Sequence, residues 1–205
     1  DADECIEKMV HFGIKNINWI IVDHYGISEI WENRIIEGIK LQMGILSDKI
    51  PKILVIDDLA NRKHIANVLL DQNYYGNQTS KRYEKLTPPN CIQLTGPKYA
   101  LIAPEYYESR RNTYLRKNIK KILIFFGGVD PDNYTCKILK QLSSKEFKDL
   151  SISVVLGEKA IHKDLVEKYV RAREKTNLYI NLPCLNEIIS NSDLCIGAGG
   201  TSTWE

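Results

Sequence analysis

Apolar positions along this chain fall into short continuous runs separated by stretches of helical spacing. Ile17-Asn18-Trp19-Ile20-Ile21-Val22-Asp23 is a near-continuous apolar run that stops at polar residues, as does a strand buried on both faces of a parallel sheet. Lys52-Ile53-Leu54-Val55-Ile56-Asp57 repeats the pattern, and Val68-Leu69-Leu70-Asp71 is a shorter version. A helical pattern over 5–12 precedes the first run. After it, Ser28 is placed as an N-cap for helical spacing over 30–43. Thr87-Pro88-Pro89 reads as a loop, and Pro104 opens a short helix through Arg111.

A second series follows. Residues 119–126 form a strong strand ending at Gly127-Gly128, with a helix over 131–142. A strand over 151–156 ends at Gly157, and a helix over 164–175 comes next. A short strand over 178–181, a short helix over 185–190 and a strand over 193–197 complete the pattern. Strand alternating with helix at this spacing predicts α/β units with parallel sheets. The expected organisation is two Rossmann-like lobes, residues 1–115 and 116–205, with a polar, basic linker over 112–118. Both lobes read as incomplete at their outer ends.

Composition narrows the function. The 205 residues are 43% hydrophobic and 26% charged, an ordinary globular balance with room for two small domains. A net charge of +2 gives no general reason to expect a nucleic-acid or membrane partner. The basic pairs Arg116-Lys117 and Lys120-Lys121 read as solvated edges of a strand. No apolar stretch approaches the ~20 residues of a membrane helix, and Asp1-Ala2-Asp3-Glu4 is no signal peptide. The five cysteines are odd in number, far apart and without C-x-x-C spacing. That predicts small buried hydrophobes in a reducing, cytoplasmic compartment, with no metal site and no cofactor.

Ligands of open parallel sheets bind beyond the carboxyl ends of the strands, so the residues after each strand are the candidates. They are Asp23-His24-Tyr25-Gly26, Asp57-Asp58, Gly127-Gly128-Val129-Asp130 and Gly197-Ala198-Gly199-Gly200-Thr201. Two are glycine-rich and lead into helical patterns. Glycine lets a phosphate approach closely, and a helix N-terminus offers free N–H groups. Neither loop is the dinucleotide G-x-G-x-x-G or a P-loop.

Each candidate also has a purely structural reading. Asp130 serves as an N-cap with Pro131 at the first helical position, while Asn133 and the glycines are open to a ligand. Ser202 and Glu205 have capping-box spacing, or Glu205 accepts both hydroxyls of a ribose. His24 is a hydrogen-bonded loop residue, or a base oriented by Asp23. Asp57-Asp58 is assigned turn and cap roles. His11, His64 and His162 are expected at the surface.

Taken in order, these pieces resemble the UDP-sugar hydrolases of the pseudaminic acid pathway, a family grouped with spore-coat polysaccharide biosynthesis proteins. The matching segments are 22–26, Leu54 to Arg62, Leu69 to Asn73, Gly96 to Ile102, Pro104-Glu105-Tyr106, Phe126 to Asn133 and Ile196 to Glu205. They span nearly the whole chain. The resemblance implies two lobes of the glycosyltransferase-B type, with UDP held mainly by the C-terminal one. It implies hydrolysis of UDP-2,4-diacetamido-2,4,6-trideoxy-β-L-altropyranose, by water attack at the anomeric carbon. It implies that Gly199, Gly200, Thr201 and Ser202 surround the diphosphate and that Glu205 binds the ribose, with Gly127, Gly128 and Asn133 kept as candidates to touch substrate or UDP from the other glycine loop. Asp23 and His24 then flank the substrate, and Tyr25 is an active-site hydroxyl near the sugar or water. The family's base is a histidine in a G-x-G-H loop, a motif this sequence does not contain; its expected position is upstream of Asp1.

Two other readings stand beside the hydrolase. A glycosyltransferase of the same architecture would move the sugar to an acceptor, and fold alone does not separate the two. A non-catalytic nucleotide-binding protein would lack the histidine loop altogether.

Overall fold

The computed structural model describes residues 1–14, 16–43 and 50–205. The chain divides into two compact units, Asp1–Leu101 and Ile102–Glu205. The first contains helix α1 (Ala2–His11), strand β1 (Trp19–Val22), helix α2 (Glu29–Met43) and strands β2 (Lys52–Ile56), β3 (Val68–Asp71) and β4 (Ile92–Thr95). The second contains α3 (Pro104–Arg111), β5 (Lys121–Phe125), α4 (Tyr134–Gln141), β6 (Ser151–Leu156), α5 (Lys163–Arg171), β7 (Thr176–Ile180), α6 (Asn186–Ser190) and β8 (Leu194–Gly197). Both sheets are four-stranded and every pairing in them is parallel. The α/β class with parallel sheets is therefore as the alternating pattern predicts. Helix α3 packs with α6 in the second unit, whereas the sequence assigns 104–111 to the lobe ending at 115.

In the first unit the strands run β1-β2-β3-β4. Ile53, Val55 and Leu69 join Ile6 of α1 and Ile35, Ile36 and Ile39 of α2 in the core. The two helices cross closely at Gly38, where an added Cβ would fall 2.0 Å from Ile6 Cδ1. Strand β1 is not buried on both faces as its composition suggests. Trp19 and Ile21, which share one face, are exposed, while Val22 on the other face is buried and joins the core with α1 and α2. Strand β4, Ile-Gln-Leu-Thr, has no counterpart in the sequence reading.

The second sheet runs β7-β6-β5-β8 and is covered on both faces. Ile122, Ile124, Ile152, Val154 and Leu156 meet Cys136 and Leu139 of α4 and Val166 of α5. Leu123 and Val155 point the other way, to Tyr106 of α3 and Leu185 beside α6. The alternation follows from the two-residue period of a strand. Apolar area removed from water on both faces, worth about 25 cal/mol per Å², holds these layers together.

Two helices differ from their predicted bounds for identifiable reasons. Helix α4 begins at Tyr134 rather than Pro131, because Asp130 and Asn133 take left-handed backbone angles of +44° and +56°. Helix α5 ends at Arg171 rather than 175. Beyond it Lys175 is left-handed, and the Arg173 guanidinium donates to the carbonyls of Leu142, Phe147 and Leu150. Of the five cysteines only Cys136 is buried; Cys195, on edge strand β8, is exposed. The others are half-buried, so burial is less general than composition suggests. Among the described residues no helix is long and apolar enough to cross a membrane.

Candidate functional site

Strand order locates the crevice of the second unit. From β5 the chain builds outward to β6 and β7 on one side, then returns to place β8 on the other. The strand order therefore reverses at β5, the kind of position at which open α/β sheets bind ligands. Phe125 and Gly197 are register partners, so 126–130 and 198–201 leave the sheet side by side. A Cβ added at Gly127, Gly128, Gly199 or Gly200 would meet nothing within 4 Å, and Gly127 has φ +81°. These four backbones border open space, as a group that must approach closely requires.

The floor beneath them is tight. A Cβ at Gly157 would lie 2.2 Å from the Gly128 carbonyl oxygen and 2.6 Å from its Cα. One at Gly197 would lie 2.2 Å from the Phe125 oxygen. Gly157 thus fixes the Gly127-Gly128 turn from below, a role its place at the end of a strand hints at but does not reveal.

Asp130 is buried, and its carboxylate accepts from Tyr134 N and Thr135 N, each at 2.9 Å. It caps α4 as expected, from four residues upstream of the first helical residue rather than from the N-cap position. Asn133 occupies that position, with its amide oxygen buried and its side chain next to Cys136. After β8, Thr201–Thr203 form one 3-10 turn. Thr203, not Glu205, returns to its start, where Gly200 N donates to Thr203 Oγ1 at 3.3 Å. The capping-box reading of Ser202 and Glu205 is corrected accordingly.

A cleft of about 490 Å³ opens beside β8, bordered by Phe125, Ile196, Gly197, Gly199, Ser202 and Glu205. Glu205 lies beside the Tyr106 hydroxyl, which accepts from Leu185 N at 3.3 Å. Burial first, then the neighbouring Cys184 and Glu205 side chains, push the Tyr106 phenol well up. Gly199, Ser202 and Glu205 thus share one cleft; Gly127, Gly128 and Asn133 stand at the neighbouring loop.

The carboxyl ends of the first sheet carry a different surface. Gly26 N donates to His24 Nδ1 at 3.0 Å, closing a tight turn that leaves Asp23, His24 and Tyr25 exposed. His24 is therefore a hydrogen-bonded loop residue. Arg62 fastens this loop: its Nε donates to Ile27 O at 2.6 Å, its Nη2 to His24 O at 3.3 Å, and its Nη1 pairs with Asp57 at 2.7 Å. Asp57 also accepts from Ala60 N and the Tyr83 hydroxyl, which gives it the turn role assigned from sequence.

Burial pushes the Asp57 carboxyl up, but Ala60, Tyr83 and Arg62 outweigh it and hold the group below the usual carboxylate range. Asp71 pairs with Arg82, yet burial dominates and its carboxyl is raised.

His64 overturns its surface assignment. It is 2% exposed, with Nδ1 2.6 Å from Glu32 Oε1, while Glu32 Oε2 accepts from Ile65 N at 2.7 Å. The partner lies 32 positions away on α2, so no local pattern discloses it. His11 is exposed, as is the bond between His162 and the Pro131 carbonyl.

No protein-family model matches the chain. It is 30% identical over 201 residues to an uncharacterized protein of Methanocaldococcus jannaschii, covering 94% of this chain and 39% of the relative. It is 28% identical over 177 residues to the UDP-2,4-diacetamido-2,4,6-trideoxy-beta-L-altropyranose hydrolase of Campylobacter jejuni, covering 86% of this chain and 58% of the relative. It is 25% identical over 132 residues to the spore coat polysaccharide biosynthesis protein SpsG of Bacillus subtilis, covering 64% of this chain and 38% of the relative. The matches thus take in between 38% and 58% of the relatives' lengths. The two named relatives support the family resemblance carried by the motifs.

Proposed function

Starting from kinship with the altropyranose hydrolase and SpsG, we propose that the whole protein acts on a UDP-sugar in polysaccharide or nonulosonic (pseudaminic) acid biosynthesis. Within that class we assign it hydrolysis of a UDP-2,4-diacetamido-2,4,6-trideoxyhexose, in a glycosyltransferase-B arrangement of its two lobes. The observation that carries the reading is the match to a protein named as that hydrolase over 86% of this chain. The glycine-lined switch point of the second sheet supports it.

In this reading the diphosphate lies against Gly127, Gly128, Gly199 and Gly200, with Thr201 and Ser202 as hydroxyl donors and Asn133 at the adjoining turn. Glu205 accepts the ribose hydroxyls. Water attacks the anomeric carbon, the bond from that carbon to the phosphate oxygen breaks, and UDP departs with the electron pair. Backbone donors that already face the diphosphate stabilise the charge it gains without reorganising. Tyr25, 62% exposed, presents a hydroxyl to the sugar or to the water, with Asp23 and His24 in the same loop.

The test is NMR on the full-length protein incubated with the UDP-sugar and no acceptor. Release of free sugar and UDP is expected. An unchanged substrate that turns over only when an acceptor is added would assign a glycosyltransferase instead.

A further inference from the structure

Residues 109–121 of the second unit join neither its core nor its glycine edge. From Ser109 to Val129 the chain carries six cations, Arg110, Arg111, Arg116, Lys117, Lys120 and Lys121, and no acid. The overall charge of +2 conceals this concentration. Solvation alone would account for the basic pairs, but not for the apolar side chains among them. Leu115 is 99% exposed, Tyr114 71% and Ile119 52%. None of the three packs into a core cluster.

The backbone beneath these side chains is fixed. Arg116 donates to Ser192 O and Ser190 O, each at 2.7 Å, and pairs with Asp193 at 3.2 Å. The Asp193 carboxylate also accepts from Lys120 N at 2.7 Å and Lys121 N at 2.8 Å. Asn186 Nδ2 donates to Ser109 Oγ at 2.9 Å. One cation and one acid are thus spent on anchoring the segment. The other five cations are exposed and form no salt bridge among the described residues. Arg110 and Arg111 stand in the last turn of α3, where positive charge offsets the helix dipole. Lys117, Lys120 and Lys121 have no such use. With Tyr114, Leu115 and Arg116 they border a hollow of about 830 Å³. Of the two acids at that hollow, Asp193 is engaged as above and Glu187 is exposed.

We propose that residues 114–121 dock the second unit on an anionic lipid surface. The lysines are drawn to headgroup phosphates, and Leu115 and Tyr114 enter the boundary between headgroups and acyl chains. The apolar residues decide between lipid and nucleic acid. Phosphates of a nucleic acid need the cations and its bases an aromatic platform, but neither needs an exposed leucine and isoleucine. Strand β5 runs from Lys121 to Phe125, so the patch stands at its amino end and the Gly127-Gly128 loop at its carboxyl end. Docking therefore leaves the glycine edge of the sheet at the far end of that strand. The proposal needs no membrane-spanning helix and does not depend on the reaction assigned above.

The test is flotation of the full-length protein with vesicles of phosphatidylcholine alone or mixed equally with phosphatidylglycerol. Binding to the mixed vesicles only is expected, and it should weaken as salt is raised. Replacing Lys117, Lys120 and Lys121 together by Gln is expected to weaken it about 100-fold, at about fivefold per cation. Leu115→Ser, at a site on which no packing depends, is expected to weaken it about tenfold and to leave the salt dependence in place. Thermal unfolding checks that both variants are folded. No binding to the mixed vesicles, equal binding to both kinds, or binding that neither variant weakens would overturn the proposal. So would tighter binding to a single-stranded RNA oligonucleotide that Leu115→Ser leaves unchanged, which would make the patch a nucleic-acid site.

Discussion

The two compact units share a parallel four-stranded plan, yet their carboxyl-end edges are built differently. In the first, the strands follow one another in order, and the edge is knitted by buried or half-buried charges: Asp57 with Arg62, Asp71 with Arg82, and Asp58 between them. In the second, the order reverses at β5, and the edge is nearly bare backbone at Gly127, Gly128, Gly199 and Gly200. A charged lattice costs desolvation and fixes side chains in place. A glycine edge fixes nothing outward and leaves room for a ligand that brings its own charge. The contrast suits a division of labour, with side-chain chemistry on the first unit and diphosphate binding on the second.

Perturbing each edge by its own means would sharpen or break that contrast. The largest effect is expected from the buried pair behind the first edge. His64→Ala would remove one of the two hydrogen-bond partners of the buried Glu32 and open a cavity beside it, at a cost of about 3 kcal/mol, read as a shift of the urea midpoint. Gly157→Ala attacks the second edge sterically, because its Cβ would lie 2.2 Å from the Gly128 oxygen. Overpacking of this kind costs about 1–3 kcal/mol; UDP affinity should fall with it, since the glycine turn must move. Asp130→Ala removes two backbone caps from α4, a loss of about 1–2 kcal/mol measurable by the same titration.

The smallest expected effect separates the edges by pH. The Asp57 carboxyl is lowered in the folded protein. It therefore contributes stability that is present above the unfolded value of about 3.9 and is lost as pH falls through the folded value. Asp57→Asn should flatten the acid limb of stability below about pH 4. Gly157→Ala should shift the whole profile without changing its slope.

Much of this was legible in the chain. The apolar runs locate β1, β2, β3, β5 and β6, because a strand inside a parallel sheet needs little polar alternation. The rule that ligands sit beyond strand ends selects the four loops that the structure brings to the two edges. What escaped depends on distance. The partnership of His64 with Glu32, the contact of Gly157 with Gly128 and the locking of Asp58 by Asn73 and Arg82 each join residues remote in sequence. The switch point was hidden for the same reason, since strand order is not written in any local pattern. Strand β4 was missed because Ile-Gln-Leu-Thr is short, half polar and close behind two prolines.

The most direct test of this division of labour is to titrate UDP into isotope-labelled full-length protein and map the amide shifts. Binding should move 127–133 and 197–205 while leaving 57–58 and 71–73 in place. Shifts confined to the charged edge of the first unit, or no binding at all, would contradict the assignment of the diphosphate to the glycine edge.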